Sequence, residues 1–141
     1  MPQGTAHQIA KAVAQIAPQS VAAAASAQSA NSIDVTPFEE LLCIFNVGAY
    51  TGGVTSVKCE IIDSADGSSF AAVTGGDSGV TLTAASKVYV GRVRRTKLRQ
   101  YAAIKMTVNG GTSAIVGGTL IGMESRSEPV SQDNAIAFNL T

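Results

Sequence analysis

The stretch Asp63-Ser64-Ala65-Asp66-Gly67-Ser68-Ser69-Phe70 is a polar turn set between two apolar runs, and its reading decides the fold class. Asp66-Gly67 supplies the positive φ that a tight hairpin turn needs, Ser64 and Asp66 can bond neighbouring backbone, and Phe70 returns the chain to the core. Before the turn, residues 54–62 alternate, with Val57, Cys59 and Ile61 on one face and Ser56, Lys58 and Glu60 on the other. A period of two marks a strand with one buried face. Working outward, residues 33–35, 41–47, 70–73, 79–83, 87–95, 98–108 and 113–123 share this character and are separated by turn residues. In 41–47, Leu41, Cys43, Phe45 and Val47 share one face while Leu42 and Ile44 make the other apolar as well, as in a central or covered strand. In 98–108, Leu98, Gln100, Ala102, Ile104, Met106 and Val108 form a core-facing row, and Arg99, Tyr101, Ala103, Lys105 and Thr107 an outward one. Asn109-Gly110-Gly111 turns the chain into the last strand, where Gly117-Gly118 marks a bulge or a close backbone approach. The expectation is an all-β chain, a jelly-roll-like antiparallel β-sandwich of about eight short strands with extended N- and C-terminal arms.

A chain of 141 residues fits one domain with a single modest core. Hydrophobic residues make up 45% of it with 14 Gly and no Trp, so that core is built from small side chains. Zero formal net charge gives no global polycation for nucleic acid, and nothing approaches transmembrane length, so neither nucleic acid nor membrane is an expected partner. Three regions are expected. Residues 1–31 are rich in Ala, Gln and Ser with Lys11 as the sole formally charged side chain, and read as an extended arm. Ile9, Val13 and Ile16 have helical spacing, which permits a short helix before Pro18. Lys11 and Gln15 break the apolar run that a secretion signal needs, so no export leader is expected. Residues 32–124 form the sandwich body. Residues 125–141 are a polar linker followed by the alternation Ile136, Phe138 and Leu140, which fits an added edge strand for its own sheet or for a neighbour's.

The residues offer little for catalysis. The lone His7 lies in the arm, away from any Ser or Cys of the body, and Glu39 and Glu40 point to opposite faces of a strand, unlike a paired acid and base. Gly52-Gly53, Gly75-Gly76 and Gly110-Gly111 lack the strand-to-helix setting of a phosphate loop. Cys43 and Cys59, in successive strands joined through Tyr50-Thr51-Gly52-Gly53, are expected as reduced, buried thiols, too few for a metal site. No enzyme activity, catalytic residue, cofactor or metal is expected.

Charge is unevenly spread. Seven of the ten basic residues (Lys87, Arg92, Arg94, Arg95, Lys97, Arg99 and Lys105) fall within 87–105, and no acid occurs from 78 to 123. Cations on an exposed strand guard an edge against mispairing. Equally, such a patch faces an acidic partner. Arg92, Arg94, Arg95, Lys97, Arg99 and Tyr101, with Ile136, Phe138 and Leu140, are the candidate interaction residues. Only Tyr89 and Tyr101 are near enough to the cations in sequence to stack on bases, which argues against a nucleic-acid face.

The order of strand, Asp-Gly turn, Tyr89-Val90-Gly91 strand and Arg99-Gln100-Tyr101 strand resembles the capsid cement, or decoration, proteins of tailed bacteriophages across roughly the whole body. The resemblance implies a sandwich made in the host cytoplasm that sits on the outside of an assembled shell, bridges neighbouring major capsid subunits and pairs with itself as a homodimer. The two extended termini depart from a compact decoration module. Two other readings stand beside it: a carbohydrate-binding or adhesive surface sandwich, and a phage tail or baseplate component. A sugar platform calls for exposed Trp or several Tyr, and this chain has no Trp and only Tyr50, Tyr89 and Tyr101.

Overall fold

The alternation read from the sequence builds two antiparallel sheets packed face to face. They are seen in a computed structural model that describes residues 10–29, 33–73 and 79–125. The strands are β1 (Ala10–Ala22), β2 (Ser26–Gln28), β3 (Ile33–Asp34), β4 (Phe38–Thr51), β5 (Ser56–Ser64), β6 (Ala71–Ala72), β7 (Gly79–Leu82), β8 (Lys87–Arg94), β9 (Tyr101–Asn109) and β10 (Ser113–Ser125). One 3-10 turn, Arg95–Lys97, links β8 towards β9. The first sheet has the order β1-β10-β4-β8 and the second β2-β9-β5-β6, with β3 also along β9 and β7 also along β5. Counting β2 with β3, and β6 with β7, as one interrupted strand each, the sheets run 1-8-3-6 and 2-7-4-5. That is the eight-strand double Greek key of a jelly roll, so the expected fold class holds.

The core lies between the inner faces. Leu41, Cys43, Phe45 and Val47 of β4, with Val116 and Leu120 of β10, meet Val57, Cys59 and Ile61 of β5 and Ala102, Ile104, Met106 and Val108 of β9. Gly118 sits where the sheets close on each other. A Cβ there would stand 3.0 Å from Ile104 Cδ1, so the close backbone approach read from Gly117-Gly118 is present.

Several expectations are corrected. Between 10 and 29 the N-terminal region is part of the sandwich, not an arm: β1 pairs with β10, β2 pairs with β9, and Ile16, Val21 and Ala27 are core residues. Nor are residues 10–17, the described part of the segment before Pro18, helical: they lie in β1. A short isolated helix is marginal in water, whereas β10 offers this segment a full ladder and a buried face. The body therefore begins by residue 10. The strand expected over 87–95 ends at Arg94, where the 3-10 turn Arg95–Lys97 begins, and the row expected over 98–108 is shortened at its start, because residues 98–100 are irregular and β9 begins only at Tyr101.

The 63–70 turn is not a two-residue hairpin, because residues 65–70 form a loop between β5 and β6. Cys43 and Cys59 lie on different sheets, since the chain changes sheets between β4 and β5. Both thiols are free and buried, and burial pushes each up to about 12. Ile136, Phe138 and Leu140 lie outside the described residues.

Candidate interaction surface

The first sheet has two edges with different chemistry. Along β1 the edge carries Pro18, which has no N–H to offer, and two register shifts, at Ala12/Ala14 and Ile16/Gln19. Along β8 the pairing with β4 runs without a shift from Glu40↔Arg94 to Val47↔Lys87. Alternation turns Tyr89, Gly91 and Val93 inward and leaves Val88, Val90, Arg92 and Arg94 on the outside. Val88 is 63% and Val90 64% exposed. Register sets Val90 beside Ile44 and Arg92 beside Leu42, and Leu42 in turn beside Ile121; Leu42, Ile44 and Ile121 are half-buried. An apolar strip thus crosses the outer face from β8 to β10. A shallow groove of about 390 Å³ flanks it, between Gln15 and Pro18 on one side and Lys87 and Val88 on the other, with Gly117 among its lining residues. A contiguous exposed apolar area of this kind is the usual mark of a contact surface.

The cations do not form one patch. Arg92 Nε pairs with Glu40 Oε1 at 2.6 Å on the neighbouring strand. Arg99 is bound to Asp63, at the end of β5, by its guanidinium and its backbone N–H. Arg95 Nη1 donates to the Leu98 carbonyl at 3.0 Å. Arg94 and Lys97 are exposed. The absence of acids from 78 to 123 therefore did not mean uncompensated charge, because the partners come from β4 and β5. Cross-strand neighbours are set by sheet order, and a count along the chain cannot see them.

Tyr101 belongs to the second sheet, and not to the outer face that bears Arg92 and Arg94. It is half-buried, and a Cβ at Gly67 would lie 3.6 Å from its ring. The loop above it is organised by Asp66, whose Oδ1 accepts from the backbone N–H groups of Ser68 (2.9 Å) and Ser69 (2.8 Å) and from the Ser64 hydroxyl (2.7 Å). Those donors, Ser69 and Ser68 foremost, hold the Asp66 carboxyl well below the usual carboxylate range. Asp34 is lowered in the same way, mainly by Thr36, whose N–H donates to its Oδ1 at 2.9 Å. Among the described residues no three His, Cys, Asp or Glu side chains gather as metal ligands would, and no helix is long and apolar enough to cross a membrane.

No protein-family model and no curated protein sequence matches the chain. Among solved structures the chain is similar to the PBSX exported protein XepA, with a TM-score of 0.61 at 10% identity over 99% of this chain and 46% of that one. It spans a little under half the length of that protein, and at such identity the likeness is one of fold alone. A weaker likeness, TM-score 0.43 at 13% identity over 89% of this chain and 99% of the other, is to a protein of Bacillus endospore appendages, which form disulfide-linked pili. At that score it says nothing about the strand plan.

Proposed function

We propose that the chain is a non-enzymatic structural component of a phage particle that binds the outside of the assembled capsid, reinforces contacts between major capsid subunits and pairs with itself there. The observation that carries the proposal is the outer rim at β8, where Val88 and Val90 are 63% and 64% exposed on a strand that ends in the exposed Arg94 and runs on to the exposed Lys97. Apolar side chains inside a rim of Arg and Lys are the make-up of a docking surface, and they bind without a pocket. On a lattice, many copies of one modest contact give large avidity. XepA, a protein of similar fold, is an exported protein of the phage PBSX, in keeping with the motif resemblance to decoration proteins.

The docking role falls on Val88, Val90, Arg94 and Lys97. Arg99 and Tyr101 serve the sandwich itself, and Arg92 already has Glu40. Purified protein added to shells that lack it should co-sediment with them. Val88→Asp with Val90→Asp should abolish co-sedimentation. Arg94→Ala with Lys97→Ala should weaken it and flatten its salt dependence. Full binding by both double variants would overturn the proposal.

A further inference from the structure

Most described edges of the sandwich are protected. In the second sheet β2, β3, β6 and β7 are only two to four residues long, and in the first β1 carries Pro18 and two register shifts. β8 differs: it is eight residues long, has no Pro and keeps regular register throughout. Among the described residues nothing pairs with its far side. The Ser86 N–H donates to the Gly48 carbonyl at 3.0 Å, which extends the β4–β8 ladder by one pair and fixes its phase. Even-numbered residues of β8 therefore turn their backbone groups to β4, and Lys87, Tyr89, Gly91 and Val93 turn theirs to the open side. Such an edge is a template for another strand.

We infer that the occupant is the β8 of a second copy, the two strands pairing antiparallel about a two-fold axis so that the four-stranded sheets join edge to edge. The inference rests on the self-pairing in the proposed function and names the surface that performs it. Gly91 carries the argument. Glycine inside a strand weakens it, yet nothing in one copy calls for glycine here. Its φ is not positive, and a Cβ would meet only the Cys43 Cβ, at an ordinary 3.9 Å. Two-fold pairing supplies the reason. With the axis at Val90, Tyr89 of each copy stands opposite Gly91 of the other, and an aromatic ring laid over a cross-strand glycine covers its bare backbone. Tyr89 packs against its own core while staying partly exposed, which leaves ring surface for this contact.

The register follows from charge and overlap. Hydrogen bonding across the axis requires odd-numbered residues opposite odd-numbered ones. An axis at Val90 engages residues 87–93 of both copies, with Val88 opposite Arg92 and Lys87 opposite Val93, and no two cations opposed. An axis at Gly91 sets Lys87 against Arg95, an axis at Arg92 sets that residue against itself, and an axis at Tyr89 shortens the overlap to 87–91. Arg92 already has Glu40, so its charge is answered before the copies meet. On the outer face Val88 and Val90 of the two copies then lie together, and the strip through Ile44, Leu42 and Ile121 continues from one copy into the other. A ladder of this length is a modest interface, formed at micromolar concentration and above, and reinforced when both copies sit on a lattice.

Sedimentation of the isolated full-length protein from about 1 to about 300 µM tests this without any shell, so its outcome is separate from that of shell binding. A monomer–dimer equilibrium is expected within that range. Gly91→Pro should weaken it at least about tenfold, because the ring replaces an N–H that faces the open side and spares the ladder to β4. Cysteines test the register. Two Val90→Cys residues stand about 4.5 Å apart (Cα to Cα) across the axis, within disulfide reach, whereas two Val88→Cys residues are about 14 Å apart. Mild oxidant should therefore cross-link the Val90→Cys protein and not the Val88→Cys protein, while the buried Cys43 and Cys59 take no part. A folded Gly91→Pro protein that dimerises as well as the parent would overturn the inference. So would a parent that stays monomeric throughout the range, or cross-linking of Val90→Cys no better than that of Val88→Cys. Should Gly91→Pro not fold, the cross-linking decides.

Discussion

Arg99 grips Asp63 with both its side chain and its backbone. Nε and Nη2 donate to Oδ1 at 2.9 and 2.7 Å, the backbone N–H donates to Oδ2 at 2.9 Å, and Nη2 also reaches the Asp63 carbonyl at 2.6 Å. The Asp63 side chain is 5% exposed, so these bonds answer a charge that water does not reach. They also fasten the segment leaving the 3-10 turn to the end of β5, and so set where β9 begins. Arg99→Ala should cost about 2 kcal/mol, at the low end for a broken buried pair because the Arg99 side chain itself is 45% exposed. Arg99→Lys should recover only part, lacking the fork. Urea unfolding checks this against Arg94→Ala, which should move stability by less than about 0.5 kcal/mol.

The two thiols should be inert in the native protein. Cys43 and Cys59 are buried on opposite sheets, and burial raises each thiol to about 12, well above its ordinary value. A folded value above the unfolded one means that native protein holds protons the unfolded chain has released. This contribution is intact below pH 9 and is lost as pH rises towards 12. Native protein should resist a thiol reagent at pH 8 and react at both cysteines in denaturant. Reductant should leave the unfolding midpoint unchanged.

Two glycines give an internal control on the turns beside β10. Gly53 and Gly111 both have positive φ, 79° and 68°, yet a Cβ at Gly53 meets nothing within 4 Å, whereas one at Gly111 collides with the backbone of Gly53 and Val54. Gly53→Ala should cost about 1–2 kcal/mol from the left-handed backbone alone. Gly111→Ala must add the displacement of the neighbouring strand end, and its melting temperature should fall well below that of Gly53→Ala.

Acid should loosen the 65–70 loop and the turn after β3. Asp66 and Asp34 are both lowered by hydrogen bonds to their ionised forms, from Ser69 and Ser68 in the first case and from Thr36 in the second. For a carboxyl lowered on folding, the stabilisation is present above the unfolded value, near 4, and is lost as pH falls through the folded value. Stability should decline below about pH 4, and Asp66→Asn should make that decline shallower. An unchanged acid slope in Asp66→Asn would show that the loop bonds do not matter to folding.

Much of the body was legible because the strands alternate cleanly. The core rows on β4, β5 and β9, from Leu41 to Val47, Val57 to Ile61 and Ala102 to Val108, are those that the period of two picks out. Residues 10–22 were not legible. Their Ala, Gln and Ser composition has no strand pattern of its own, and only the ladder offered by β10 makes them a strand. At the candidate surface the exposed Val88 and Val90 lie within the expected 87–95 strand, but their exposure depends on β8 being the outermost strand, which is a property of sheet order. The pairing of Arg92 with Glu40 and of Arg99 with Asp63 was hidden for the same reason, as the partners are 52 and 36 residues away in the chain.

The most direct test of the capsid proposal is the copy number and position of this protein on phage particles purified from cells that produce it, read by quantitative mass spectrometry and by labelling under the electron microscope. The prediction is a copy number comparable to that of the major capsid protein, with label distributed over the outer surface of the head. Label confined to the tail, or particles that carry no copies, would contradict it.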